Sequence, residues 1–193
     1  TRIYPESMAL SPDGNLLYVT DDSGDGISVL DTKKLEVVHT IDTKPDPTLP
    51  YGSLTTALAF SPDGKVLYAA NAGNNSIALI DPKRPQKGPY GFIAGGGFPG
   101  AVCVTAHNLF IGNVTPLKQG ALQKVALPAN KTELDTYTEA AKKGFHFIEM
   151  MRAQAEANLK ARPKPVPVNV GEPSSIKHVV YIIRENKKFD QEL

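Results

Sequence analysis

Through the first two thirds of the chain, apolar and polar positions alternate in short runs separated by Gly, Pro, Asp and Asn. That is the period of half-buried strands joined by tight turns. The runs repeat. Met8-Ala-Leu-Ser-Pro-Asp-Gly-Asn-Leu-Leu-Tyr-Val-Thr20 returns as Leu58-Ala-Phe-Ser-Pro-Asp-Gly-Lys-Val-Leu-Tyr-Ala-Ala70, and Ser11 to Gly14 returns fifty positions on as Ser61 to Gly64. The match continues, because Gly26-Ile-Ser-Val-Leu-Asp31 answers Ser76-Ile-Ala-Leu-Ile-Asp81. A weaker third copy follows as Ala101-Val-Cys-Val-Thr-Ala-His-Asn-Leu-Phe-Ile-Gly-Asn113, with a third strand at Gly120-Ala-Leu-Gln-Lys-Val-Ala126.

Each copy explains itself locally. Proline suits the second position of the Ser-Pro-Asp-Gly turn and glycine the position needing positive φ. In the first copy Leu35-Glu-Val-Val-His-Thr-Ile41 supplies a fourth strand. Four antiparallel strands every forty to fifty residues predict the blades of a β-propeller. The predicted fold class is mainly β: a partial propeller of about three four-stranded blades, a connector helix, and the first strand of an α/β domain. Ser-Pro-Asp-Gly, Leu-Tyr-Val/Ala, Asn71 and the Ile-x-Leu-Ile-Asp81 run resemble the YVTN-type propeller repeat of secreted and periplasmic bacterial proteins, over about residues 5–127. No Trp-Asp or Gly-His pair of a WD repeat is present. Rings use about four to eight blades, and an open stack exposes two sheet faces. The chain is therefore expected to be a piece of a longer protein, with further blades before Thr1 or another polypeptide closing the ring.

Beyond Pro128 the period lengthens to 3.6. Leu134, Tyr137, Ala141, Ile148, Met151, Ala155 and Leu159 predict an amphipathic helix over most of 132–160, with Thr132 as its cap. Gly144 is a point where it bends or splits, and 131–162 would span about 48 Å. Glu139, Glu149 and Glu156 argue for a packed connector rather than a membrane or calmodulin ligand. Pro163-Lys-Pro-Val-Pro-Val-Asn169 reads as a stiff linker. The predicted layout is blades over 1–128, connector over 129–162, linker over 163–175 and a truncated domain opening over 176–193.

That last segment starts as an apolar, β-branched run, the pattern of a buried parallel strand, and ends in Glu185, Asn186 and Asp190. Ligands of open α/β sheets bind beyond the carboxyl ends of strands. Ile176, His178, Val179, Val180, Glu185, Asn186, Phe189 and Asp190 fall where the bacterial phosphoesterase family has its opening motif. That family holds phospholipase C and acid phosphatases of the alkaline phosphatase superfamily, which this segment resembles. The resemblance implies Glu185 and Asn186 as the first ligands of a divalent metal beside the phosphoester. Lys187 and Lys188 depart from the family's Arg and Ser or Thr. The family's Ser or Thr nucleophile and its later Asp and His ligands fall beyond Leu193, so this piece alone is expected to be inert. A YVTN propeller followed by this opening is a known domain pairing.

Composition narrows the choices. With 21 basic against 20 acidic residues, no net field points to nucleic acid. No apolar run approaches the roughly 20 residues of a membrane span. The lone Cys103 excludes covalent c-type haem and reads as a buried strand thiol. Asp21, Asp22 and Asp25 read as a plain turn rather than a calcium loop, and Gly95-Gly96-Gly97 as an inter-blade loop. His39, His107, His146 and His178 lie singly, without ligand spacing. The leading expectation is the propeller portion of an exported, metal-dependent phosphoester hydrolase in the periplasm or outside the cell. Its partners would be the remaining blades or the catalytic domain of the same protein, and a protein docked on the propeller. The alternative is a non-catalytic scaffold or binding module in a surface or periplasmic assembly.

Overall fold

The computed structural model describes residues 4–21, 25–46, 52–114, 120–144, 157–169 and 171–181. The chain divides into two compact units, Thr1–Phe147 and Ile148–Leu193.

In the first unit, β1 (Pro5–Leu10), β2 (Leu16–Asp21), β3 (Gly26–Asp31) and β4 (Glu36–Asp42) form one antiparallel meander. β5 (Thr55–Phe60), β6 (Leu67–Asn71), β7 (Ser76–Ile80) and β8 (Pro89–Ala94) form a second, and β9 (Pro99–Val104), β10 (Asn108–Asn113) and β11 (Ala121–Ala126) a three-stranded third. These are the repeat copies read as blades, the third with the three strands its sequence marks. Ser11–Gly14 and Ser61–Gly64 sit at equivalent turns. In each, the serine amide donates to a carbonyl five residues on (Leu16 or Val66, 2.8 Å) and the glycine amide returns to the serine carbonyl (2.8 Å). The turns also touch, since a Cβ on Gly64 would lie 2.6 Å from Pro12 Cγ.

The blades pack face to face because the inner strands of the second blade have two apolar sides. Tyr18, Ile27, Val29 and Ile41 of the first blade meet Leu58, Leu67, Ala69, Ala78, Ile80 and Phe92 of the second. The Tyr18 and Phe60 rings meet edge to face at 5.3 Å. On its other side the second blade presents Tyr68, Ala70, Ile77 and Leu79 to Leu109 and Ile111 of the third. Being sandwiched, β6 and β7 are buried throughout. At about 25 cal/mol per Å² of apolar surface removed from water, burying these side chains between blades stabilises the stack.

A polar residue at the end of each second strand ties the blade to the preceding linker. Asn71 is fully buried. Its Nδ2 donates to Thr43 O at 2.9 Å, and its Oδ1 accepts the Thr55 hydroxyl at 3.1 Å. Asn113 Oδ1 accepts Gly96 N and Gly97 N at 3.1 and 3.3 Å. Asp21 Oδ1 takes Tyr4 N at 3.4 Å. Buried backbone groups leaving a strand must be satisfied, and one residue per repeat does it.

Inside the first hairpin turns, Asp13 and Asp63 are exposed yet drawn from 3.8 to about 2. The hydroxyls of Ser11 and Ser61, donating at 2.6 and 2.7 Å, are the largest cause. Next come the Asn15 amide groups for Asp13 and the Lys65 backbone amide for Asp63. A carboxylate with a lowered folded pKa stabilises above its unfolded pKa, and that contribution fades as pH falls through the folded one. Melting temperature is therefore expected to drop between about pH 4 and pH 2, and the D13N/D63N double variant to show a flatter profile there. An unaltered profile would sink the assignment.

Helix α1 (Lys131–Gly144) crosses the open edge of β8. Leu134 is buried against the second and third blades and Ala141 against the first and second, while Thr138 lies between. Thr138 Oγ1 accepts Phe92 N at 3.0 Å and donates to Phe92 O at 3.4 Å, so the helix satisfies part of an edge that would otherwise invite foreign strands. Gly91 makes room, since a Cβ there would lie 2.8 Å from Leu134 Cδ1. Gly91→Val is expected to unseat α1 and cost about 1–3 kcal/mol. An undocked fourteen-residue helix is marginal in water. Far-UV dichroism should lose helical signal and amides 131–144 should lose exchange protection, whereas unchanged protection would refute the docking.

The helix differs from its sequence pattern in two ways. Its cap is Asn130 rather than Thr132: Asn130 Oδ1 accepts Glu133 N at 3.0 Å, and Glu133 Oε2 reaches back to Ala129 N at 2.8 Å. Leu159 lies in a turn and is 74 % exposed, so the apolar stripe does not continue that far; Ile148, Met151 and Ala155 fall outside the described residues. Cys103 is exposed rather than buried, because it sits on the face of β9 turned away from the second blade.

In the second unit, the proline-rich stretch folds back on itself. Lys164 and Ser174 form a parallel bridge, Ser175 N donates to Lys164 O at 3.0 Å, and Asn169 Nδ2 donates to Glu172 Oε1 at 2.8 Å.

Candidate functional site

The proposed metal ligands, Glu185 and Asn186, lie outside the described residues, as do Phe189 and Asp190. The described part of their segment, 176–181, pairs with no strand. Val179, Val180 and Tyr181 are 81, 85 and 83 % exposed, and His178 is also exposed. Among the described residues no three His, Cys, Asp or Glu side chains gather as a metal site. His39 and His107 are both exposed and stand on different blades, while His146 is outside the described residues.

What the fold does build is a two-part groove beside the second blade. A cavity of about 550 Å³ is lined by Lys65, Val66, Asp81, Lys83, Lys87 and Tyr90, with Arg84 and Gly88. A second, of about 520 Å³, shares Val66 and Tyr90 and runs over Tyr68, Leu79, Leu127 and Leu134 to the start of α1. The turn from β7 to β8 makes the first cavity. In the first blade the equivalent turn runs only from Asp31 to Glu36; here it runs from Asp81 to Pro89 and includes a short 3₁₀ turn, Pro85–Lys87.

The electrostatics of the groove are lopsided. Asp81 Oδ2 accepts Arg84 Nε at 2.6 Å and its Oδ1 accepts Lys83 N at 2.9 Å; the arginine bond, then the lysine amide, hold its pKa below the usual carboxylate range. Lys65 pairs with Asp63 at 3.1 Å and Lys131 with Asp135 at 2.7 Å. No carboxylate among the described residues pairs with the Lys83 or Lys87 ammonium. Burial pushes the Tyr68 phenol up to about 12 and raises that of Tyr90, so both stay neutral at physiological pH. The sequence signal for this groove was the extra length of one turn between two otherwise matching repeats, with three cations in it.

Residues 5–86 match the family model described as lactonase, seven-bladed β-propeller. No curated protein matches the chain. Among solved structures, hydrazine synthase of Kuenenia stuttgartiensis is 21 % identical over 65 % of this chain and 35 % of that one, with a TM-score of 0.54. A chain of a mitotic checkpoint complex is 16 % identical over 65 % of this chain and 37 % of its own, with a TM-score of 0.51. Such identities carry the fold alone. The fold defines a β-propeller segment. Its blades are similar to those of lactonase-type propellers, and the chain spans about a third of the solved chains it matches. No helix among the described residues is long and apolar enough to cross a membrane.

Proposed function

We propose that these blades are the propeller portion of an exported, metal-dependent phosphoester hydrolase whose catalytic domain opens at Ile176. The observation that carries the reading is the ordered match of Ile176, His178, Val179, Val180, Glu185, Asn186, Phe189 and Asp190 to a phosphoesterase opening. The exposure of Val179, Val180 and Tyr181 supports it, because a β-branched apolar run is stable only when a sheet and its layers cover it. In this reading Glu185 and Asn186 offer oxygen donors of the kind hard or borderline divalent ions take. A metal bound there would stabilise charge on the phosphoryl group. The blades bury their own core and hold the catalytic domain and its partners.

The experiment is hydrolysis of 4-nitrophenyl phosphate and bis(4-nitrophenyl) phosphate by the protein carrying the uninterrupted downstream sequence, with and without a chelator. Metal-dependent turnover is expected. Absence of turnover with every divalent metal would put the scaffold reading in its place.

A further inference from the structure

The groove beside the second blade has two chemically distinct halves that meet at Val66 and Tyr90. One half is apolar, walled by Leu79, Leu127 and Leu134. The other is cationic, and its one lining carboxylate, Asp81, is already engaged by Arg84. Lys83 and Lys87 are exposed and face no carboxylate at pairing distance among the described residues. Insertions confined to one repeat map to loops on one face of a repeat protein, often the binding face. Pockets that bind small molecules are mostly apolar with a few placed polar groups, and an excess of cations over carboxylates at one end selects for negative charge.

We propose that this groove binds a small organic anion with an apolar body. Lys83 and Lys87 hold the anionic group, the Tyr90 ring forms the wall between the halves, and the body lies on Val66, Leu127 and Leu134. Tyr90 is 51 % exposed and half-buried ring surface of this kind contributes contact area together with a phenol donor. The two halves constrain each other. An anion without an apolar body leaves the apolar wall wet, and a neutral amphiphile leaves the lysines without a counter-charge. The second and third blades and the start of α1 build this site, so the inference stands apart from the reading of residues 176–190.

The probe is n-octyl phosphate below its critical micelle concentration, titrated calorimetrically into the whole chain at low salt. Octyl glucoside serves as the uncharged amphiphile and inorganic phosphate as the headgroup alone. Octyl phosphate is expected to bind at least about tenfold more tightly than either. The K83E/K87E variant is expected to lose about tenfold in affinity, because both cations become repulsive. K33E/K34E, the same charge change on the equivalent turn of the first blade, is expected to bind like the wild type. Equal binding of octyl glucoside would reduce the site to an apolar crevice, and equal binding of inorganic phosphate to a cationic patch; either overturns the proposal. So would failure of octyl phosphate to bind, wild-type affinity in K83E/K87E, or an equal loss in K33E/K34E.

Discussion

Asn71→Ala is expected to lower the unfolding free energy by about 2–4 kcal/mol. The amide of Asn71 spends its donor on Thr43 O and its acceptor on the Thr55 hydroxyl, and all three groups are buried between two blades. Alanine removes both bonds at once. Thr55 keeps the Thr43 hydroxyl at 2.8 Å, but the Thr43 carbonyl is left without its amide donor inside the protein. An orphaned buried group of that kind costs about 1–3 kcal/mol by itself. Aspartate is a sharper probe. Asn71→Asp keeps the shape but replaces the Nδ2 donor with a carboxylate oxygen facing a carbonyl, and is expected to be as damaging as alanine. Asn113→Asp is expected to cost less, because there the side-chain oxygen keeps its bonds from Gly96 and Gly97, a task Asp21 already performs with Tyr4 in the first blade, and Nδ2 gives up only two long bonds, to Ile111 O at 3.5 Å and Gln123 Oε1 at 3.4 Å. Urea titrations of the three variants decide the matter. Equal losses at 71 and 113 would mean that the strand-end residues do not act as directional ties.

The second large effect concerns Glu185. In the protein with its downstream domain, Glu185→Ala should remove a charged oxygen ligand from the proposed metal centre. Metal electrostatics supply several kcal/mol to such reactions, so phosphoester turnover is expected to fall about a hundredfold or more. Asn186→Ala should fall similarly, and thermal unfolding of the blades should not change, since their core is built from residues 5–126 and α1. Added metal that restores part of the Asn186→Ala rate would mark a weakened ligand rather than lost folding. Wild-type turnover in both variants would remove these residues from the site.

The blades were legible because their physics is local. A Pro-Asp-Gly turn with a serine before it fixes a hairpin whichever blade it sits in, and the copies at Ser11 and Ser61 make the same bonds. β8 was not legible. Its sequence, Pro-Tyr-Gly-Phe-Ile-Ala, breaks strand alternation with a glycine whose purpose is tertiary: it admits Leu134 from a helix forty residues on. The helix cap was misplaced for a related reason, since Thr132 and Asn130 are both good capping residues and only the reach of Glu133 to Ala129 separates them. Cys103 was placed in the core because an apolar strand residue usually is; nothing local says that the far face of β9 carries no neighbouring sheet among the described residues. The cationic groove needed the comparison of two repeats, because no single residue in it departs from an ordinary polar turn.

The propeller assignment depends on the blades stacking in one register, and the Tyr18–Phe60 contact reports the register of the first two directly. The rings belong to different blades and meet at 5.3 Å and 80°. A double-mutant cycle with Tyr18→Leu and Phe60→Leu keeps each position apolar while removing the ring pair. A coupling energy of about 0.5–1.5 kcal/mol is expected. Additive losses, with coupling indistinguishable from zero, would mean that the first and second blades do not meet through these faces.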